Sequence, residues 1–274
     1  MYNNNIDKII KILKKCRNLI ITAGAGMGVD SGLPDFRSNE GFWRNYPPYK
    51  KLNLSFYELA NPATFIINPE LAWGFYGHRL NLYRRTEPHK GFYYIKEWIK
   101  KLSLNFFIIT SNVDGQFQKS GFDEKHIFEI HGSIHYLQCS KPCLHKVWDN
   151  KITLSVDEFS MKSNTIPTCQ YCGHIARPNI LMFGDNNWVS TRSDIQSQNF
   201  SNWMNSILHE ENTVILEIGA GKAVPTIRNF SYNIANLTNG IIMRINPYDY
   251  NVESPHISIP MKAIDALELV HHNL

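Results

Sequence analysis

The chain of 274 residues has no apolar run approaching the ~20 residues that a membrane helix needs, so no membrane span is expected. Its first residues, MYNNNIDKIIKILKKC, lack the apolar core and small-residue cleavage site of a secretory leader. They place Ile6, Ile9, Ile10 and Leu13 at helical spacing instead, and a cytoplasmic location is expected. No low-complexity linker divides the chain and no internal repeat is visible, so one large domain, or a large one with a smaller insert, is expected. Charge is nearly balanced at +4, and the only clustered lysines lie between Lys8 and Arg17, which reads as a solvated helix face. No nucleic-acid partner is expected from such a composition. With 43% hydrophobic and 19% charged residues, the chain can bury a substantial globular core.

What is present begins with residues 18–38, NLIITAGAGMGVDSGLPDFRS. Leu19, Ile20 and Ile21 form the short apolar run of a buried parallel strand, and Gly24, Gly26 and Gly28 follow where a helix should begin. Glycines there let backbone N–H groups approach a pyrophosphate closely. The G-x-G-x-G spacing is one residue short of the usual dinucleotide fingerprint, and a tight turn without a ligand is the competing reading. Pro34, Asp35, Phe36 and Arg37 favour the ligand, because a plain turn has no use for a carboxylate, an aromatic ring and a guanidinium side by side.

Residues 41–48, GFWRNYPP, predict an ordered loop that could act as a lid. Helices are expected over 70–85 and 88–102, with Tyr76 and Arg79 on one side of the first. A buried strand over 104–110 would carry Ser111, Asn112, Val113 and Asp114 at its carboxyl end, and a short strand over 126–130 would carry His131 and Gly132. Ligands bind at such strand ends in open α/β sheets. Residues 135–175 break the alternation and read as an inserted module. Beyond them the pattern predicts strands over 180–183, 213–218, 241–245 and 256–259, and helices over 192–210, 224–237 and 262–271. The fold class is therefore α/β, a Rossmann-like doubly wound parallel sheet with a smaller inserted module.

The module holds four of the five cysteines. Cys139 and Cys143 form C-x-x-x-C, and Cys169 and Cys172 form C-x-x-C, the paired spacing of a structural zinc site. A disulfide framework is the rival, and an intracellular chain argues against it. Nearby His145 is an alternative ligand. Four protein ligands leave no open position, so the metal would serve folding and not catalysis. Cys16 reads as a buried thiol.

In sum these motifs resemble the sirtuins, NAD-dependent protein-lysine deacylases. The resemblance runs through GAGMGVDSGLPDFRS, SNVD (111–114), His131-Gly132, both cysteine pairs, ARPNILMFGD (176–185), EIGAGKAVP (217–225) and INP (245–247). It implies a single catalytic unit over 1–274. The large NAD-binding part would cover about 1–40, 86–134 and 176–274, and the small part a helical insert at about 41–85 and the zinc module at about 135–175. It further implies that the pyrophosphate lies against Ala23, Gly24, Ala25 and Gly26, that Asp35, Phe36 and Arg37 close over the nicotinamide ribose, and that Ser111, Gly219, Ala220 and Asn246 add cofactor contacts. Asn112 would hold ribose hydroxyls and Asp114 the carboxamide. His131, Asn112 and Arg37 form the implied catalytic set.

In that family the acyl-lysine oxygen attacks the ribose anomeric carbon, nicotinamide leaves, and a histidine at the position of His131 deprotonates a ribose hydroxyl. Histidine suits this step because its ordinary pKa of about 6.5 lies near working pH. Phe183, Gly184 and Asp185 would meet the substrate peptide as an added strand. Ala60, Tyr76 and Arg79 resemble the pocket of sirtuins that prefer succinyl-, malonyl- or glutaryl-lysine, where a guanidinium pairs with the distal carboxylate. Desuccinylase and deacetylase activities both stay open. Three places depart from the family pattern: Gly28, Ser111 in place of a glutamine, and Gly219-Ala220-Gly221 in place of Gly-Thr-Ser. The rival functions are a sirtuin-like ADP-ribosyltransferase, an NAD hydrolase and a non-enzymatic binding module. No motif accompanies His78, His89, His126, His135 or His174, and each is expected to be structural.

Overall fold

The computed structural model describes residues 2–34, 39–208 and 210–274, and is built on a six-stranded sheet. In chain order the main strands are β1 (Asn18–Ala23), β2 (Asn105–Thr110), β3 (Ile127–Glu129), β4 (Gly132–Cys139), β5 (Ala176–Ile180), β6 (Thr213–Ile218), β7 (Ile241–Ile245) and β8 (Ile257–Ile259). All but β4 and β5 pair in parallel in the order β8-β7-β6-β1-β2-β3. This is the strand order of dinucleotide-binding sheets, and it reverses direction between β1 and β6.

The long helices are α1 (Tyr2–Lys15), α2 (Pro69–Arg85), α3 (Lys90–Lys101), α4 (Thr191–Ile207), α5 (Thr226–Thr238) and α6 (Ala263–Asn273). Alternation along β1 divides them into layers. Leu19, Ile21 and Ala23 face α1, α3 and α6, while Ile20 faces α4 and α5. Both faces of β1 are therefore buried, which is why it reads as a continuous apolar run. Each such aliphatic side chain contributes roughly 1.5–3 kcal/mol on burial. No helix among the described residues is long and apolar enough to cross a membrane.

Register fixes where the strands end. Ala23 lies opposite Thr110 and Ile218, Thr110 opposite Glu129, and Ile218 opposite Ile245. Five carboxyl ends thus finish in one row. The segments that begin at Gly24, Ser111, Ile130, Gly219 and Asn246 leave the sheet side by side.

Residues 41–48 do not form the expected loop: they lie in two short helices, Asn39–Asn45 and Pro47–Lys51. Phe42, Tyr46 and Tyr49 recur at helical spacing, and all three are buried with Phe75 of α2 in an aromatic cluster. The prolines occupy the first positions of the second helix, where their missing N–H and fixed φ are tolerated. The strand expected over 180–183 is likewise displaced. It occupies Ala176–Ile180 and pairs antiparallel with β4 in a separate three-stranded sheet completed by Trp148–Asp149.

The sequence Ala-Arg-Pro-Asn-Ile escaped the apolar-run criterion because its polar residues are buried with partners. Arg177 pairs with Asp185 at 2.8 Å, both side chains fully enclosed, and Asn179 donates to the Gln138 side chain at 2.9 Å. Removing one member of a buried ion pair leaves the other uncompensated. Arg177→Met is expected to cost about 3–5 kcal/mol in urea unfolding; a loss below about 1 kcal/mol would contradict the assignment.

Candidate active site

At the point where the sheet order reverses, two glycine turns press against each other. The Gly24 N–H donates to the Ile218 carbonyl at 2.9 Å and the Gly26 N–H to the Gly219 carbonyl at 3.1 Å. A Cβ on Gly26 would stand 2.6 Å from the Gly219 Cα, and Gly219 itself holds a left-handed φ of +63°. Side chains are excluded from this contact, so bare backbone faces the space above it. The Ala220 carbonyl is clamped from behind by Arg228 Nε at 3.1 Å, Arg228 Nη2 at 2.9 Å and Asn246 Nδ2 at 2.9 Å. The Asn246 side-chain oxygen Oδ1 in turn accepts from the N–H groups of Tyr248 and Asp249, both at 3.0 Å. Asn246 is buried and braces the turn from beneath.

The end of β2 supplies the next wall. The Asn112 amide donates to the Gly24 carbonyl at 3.0 Å, which ties this loop to the first glycine turn and leaves its side-chain oxygen available. Asp114 is half-buried and accepts from the Gln116 N–H at 2.9 Å. Withdrawal from solvent pushes its carboxyl from 3.8 up to about 6; the Gln116 N–H opposes this, Glu129 adds to it, and Arg79 opposes it. A Cβ on Gly28 would lie 3.2 Å from Leu33 and 3.5 Å from Asp114, so glycine lets both sit close. His131 follows β3. Burial lowers its pKa below the usual 6.5, opposed by the Ser111 backbone, so the ring is neutral near pH 7 and one of its nitrogens can act as a base.

A cavity of about 370 Å³ joins these walls. It is lined by Gly24, Ala25, Gly26, Gly219 and Ala220 of the two glycine turns, by Ser111, Asn112, Asp114 and His131, and by Ala60, Tyr76 and Arg79 together with Phe56, Met182 and Phe183. The Phe183 N–H donates to the Ala60 carbonyl at 2.9 Å, and the Phe183 ring lies 4.6 Å from that of Tyr57. Gly184 takes a left-handed φ of +66°. The Asp185 carboxylate is turned away from the cavity toward Arg177 and accepts from the Asn187 N–H at 3.1 Å. It shapes the loop from inside. Asp35, Phe36 and Arg37 lie outside the described residues, as does Ser38.

Arg79 brings in Tyr83, which the sequence reading did not single out. Its Nε and Nη2 donate to the Tyr83 hydroxyl at 3.0 and 2.7 Å, and the guanidinium lies within 5.7 Å of the rings of Phe75, Tyr76 and Tyr83. The i, i+4 spacing of Arg79 and Tyr83 on one helix was the available signal.

Away from the cavity the four module cysteines converge. The sulfurs of Cys139 and Cys172 are 3.6 Å apart, those of Cys143 and Cys169 are 3.7 Å apart, and all four fall within 4.8 Å of one another. A disulfide would need about 2.05 Å. A tetrahedron of thiolates about 2.3 Å from a metal has edges of about 3.8 Å, so the donor set and its spacing fit one tetrahedral ion. Cys16 is buried and free, with its thiol 3.3 Å from the Asn18 carbonyl.

A model of the Sir2 family matches residues 24–223. A Pyrococcus abyssi protein described as an NAD-dependent protein deacylase is 31% identical over 180 residues, covering 66% of this chain and 66% of that protein. The match thus spans about two thirds of that relative's length. A Leptospira interrogans protein of the same description is 28% identical over 239 residues, covering 87% of this chain and 85% of its own. A solved structure described as a Sir2 homolog–NAD complex is similar with a TM-score of 0.73 and 25% identity, over 97% of this chain and 93% of that one.

The carboxyl of Asp114 yields a test. Its folded pKa lies above the ordinary value, so the folded chain holds the proton more tightly and the group destabilises the fold as pH rises from about 4 through about 6. Asp114→Asn is expected to raise the Tm at pH 8 by on the order of a few degrees, with a gain that shrinks toward pH 4. A gain independent of pH would contradict the assignment.

Proposed function

The chain belongs to the Sir2 family, and from that premise we propose that it is an NAD-dependent protein-lysine deacylase, releasing nicotinamide and O-acyl-ADP-ribose. The single observation that carries this reading is the continuity of one cavity from the glycine turns, past Asn112, Asp114 and His131, to the wall of Ala60, Tyr76 and Arg79. A dinucleotide and an acyl-lysine entering from opposite ends would meet at the histidine.

NAD, when bound, supplies an anomeric carbon that the acyl oxygen attacks as nicotinamide departs. The chain's own groups divide the remaining work. Gly24, Ala25, Gly26, Gly219 and Ala220 present backbone to the pyrophosphate, with Ala23 at the strand end and Asn246 bracing the second turn. Asn112 offers its side-chain oxygen to ribose hydroxyls, Ser111 lies beside it, and Asp114 accepts the carboxamide N–H. His131 takes the proton of a ribose hydroxyl on its unprotonated nitrogen. Asp35, Phe36 and Arg37 are assigned to covering the ribose on their sequence motif.

Zn²⁺ is the ion assigned to Cys139, Cys143, Cys169 and Cys172, where four thiolates would close its coordination and crosslink the module. A cytoplasmic setting agrees with four reduced thiols. The division into a large NAD-binding part (about 1–40, 86–134 and 176–274) and a small part (about 41–85 and 135–175) is proposed on the same footing. The substrate peptide is assigned to the edge at Phe183 and Gly184, with Asp185 acting through the shape of that loop.

We assign the distal wall to an acidic acyl group. Arg79 is buried at 7% exposure yet lines the cavity, with Tyr76 on the same wall and Tyr83 holding one edge of its guanidinium. A carboxylate entering this pocket would gain a charge-assisted bond in a site shielded from water. Succinyl-, malonyl- and glutaryl-lysine are the acyl-lysines that carry such a carboxylate.

The test compares the unaltered protein with His131→Ala and Arg79→Met on matched acetyl-, succinyl-, malonyl- and long-chain acyl-lysine peptides with NAD, identifying products by mass. His131→Ala is expected to lower turnover at least about 100-fold. Arg79→Met should depress acidic acyl groups about 10-fold or more and spare acetyl. Equal activity of His131→Ala and the unaltered protein would remove the histidine from the mechanism. A parallel loss of both acyl classes in Arg79→Met would sink the acidic pocket.

A further inference from the structure

Strand β4 carries an irregularity that the deacylase reading leaves unused. Its pairing with β5 runs from Gly132 opposite Ile180 and Ser133 opposite Asn179 to Leu137 opposite Pro178, so Ile134 and His135 drop out of the pairing altogether and Tyr136 keeps only Asp149 opposite it. Bulges of this kind re-aim side chains and are frequent beside active sites. The released residues are stitched to the loop after β2. The Ile134 N–H donates to the Val113 carbonyl at 3.0 Å, and the His135 ring lies 2.8 Å from the Asp114 carbonyl through Nε2. A carbonyl can only accept, so Nε2 carries the proton.

The same ring lies against Gly115. That residue has a left-handed φ of +72°, and a Cβ there would meet the His135 ring at 2.7 Å. The bulge is itself held from the other side. Asn150 donates its N–H to the His135 carbonyl at 2.8 Å and its side-chain amide to the Ile134 carbonyl at 2.9 Å. Backbone position at Asp114 is thereby tied to the antiparallel sheet, while its side chain enters the cavity.

We infer that His135 is a positioning residue for the cofactor: its Nε2–H holds the Asp114 carbonyl so that the Asp114 carboxylate and the Asn112 amide face the nicotinamide end of NAD. This rests on the NAD reading above. His135 is not among the residues that line the cavity. One strand thus controls both polar walls of the reaction centre, with His131 immediately before its first residue and His135 in its bulge. Burial lowers the pKa of the ring, opposed by the bond to Asp114 and by Glu129, and assisted by Arg84 and Arg192. The neutral Nε2–H form is therefore the one present at pH 7.

Two variants separate positioning from bulk. His135→Phe keeps a ring against Gly115 and loses the donor, whereas His135→Gln keeps a donor. His135→Phe is expected to raise the KM for NAD about 5- to 10-fold with kcat within about twofold, and His135→Gln to restore most of the difference. Isothermal titration of NAD into each protein should give the same ordering in Kd. An unchanged KM and Kd in folded His135→Phe, or equal defects in both variants, would overturn the inference. If the unaltered protein binds no NAD, the functional reading falls and this inference with it. Should His135→Phe not fold, ¹⁵N-histidine spectra of the unaltered protein decide. A neutral Nε2–H tautomer at His135 that shifts on NAD saturation supports positioning, and an Nδ1–H tautomer or an unmoved signal overturns it.

Discussion

Everything in this molecule depends on the approach of two backbones. The turns after β1 and β6 meet so closely that a Cβ on Gly24 would fall 2.8 Å from the Gly219 carbonyl oxygen, and one on Gly26 would collide with Gly219 itself. Parallel pairing sets this approach, because Ala23 and Ile218 are register partners and the next residue of each chain has nowhere else to go. The outcome is a patch of naked peptide groups at the centre of the sheet's carboxyl edge. A phosphate can come closer to such a patch than to any surface carrying side chains. The clamp of Arg228 and Asn246 on the Ala220 carbonyl keeps the second turn in place without consuming its outward face.

Around that contact the sheet and the smaller antiparallel layer divide the chemistry. The parallel sheet supplies the glycine turns, Asn112 and Asp114, all from strand ends brought into one row by register. The antiparallel layer supplies the opposite wall, through β4, β5 and the loop that Arg177 and Asp185 fold beneath Phe183. The aromatic cluster of Phe42, Tyr46, Tyr49 and Phe75 packs behind α2 and so fixes the helix from which Tyr76 and Arg79 project. A structural metal at the four cysteines would pin the far end of β4, whose near end follows His131. Stability of that remote site and geometry at the reaction centre are thus joined along one strand.

Much of this was legible in the residues. Leu19 to Ile21 declared a strand because both of its faces are covered, and the spacing of the two cysteine pairs announced the four-sulfur cluster that the fold assembles. Elsewhere the sequence misled for definite reasons. Prolines and aromatics at 41–48 suggested a loop, yet Phe42, Tyr46 and Tyr49 repeat at helical spacing and the prolines sit at helix starts. Strand β5 hid behind Arg177 and Asn179, which are polar yet fully buried, the first paired with Asp185 and the second bonded to Gln138. Asp185 looked like part of a peptide-binding edge and instead turns inward. His135 carries no motif; its partner lies 21 residues away and is a carbonyl, which no side-chain pattern can announce.

Coupling of NAD cleavage in this cavity to an acyl-lysine is read most directly by counting nicotinamide, deacylated lysine and O-acyl-ADP-ribose from one reaction, with and without the acyl peptide. Equal amounts of the three are expected, with no nicotinamide release when the peptide is omitted. Free ADP-ribose formed without peptide, or ADP-ribose found on protein in place of O-acyl-ADP-ribose, would contradict it and point to a hydrolase or a transferase.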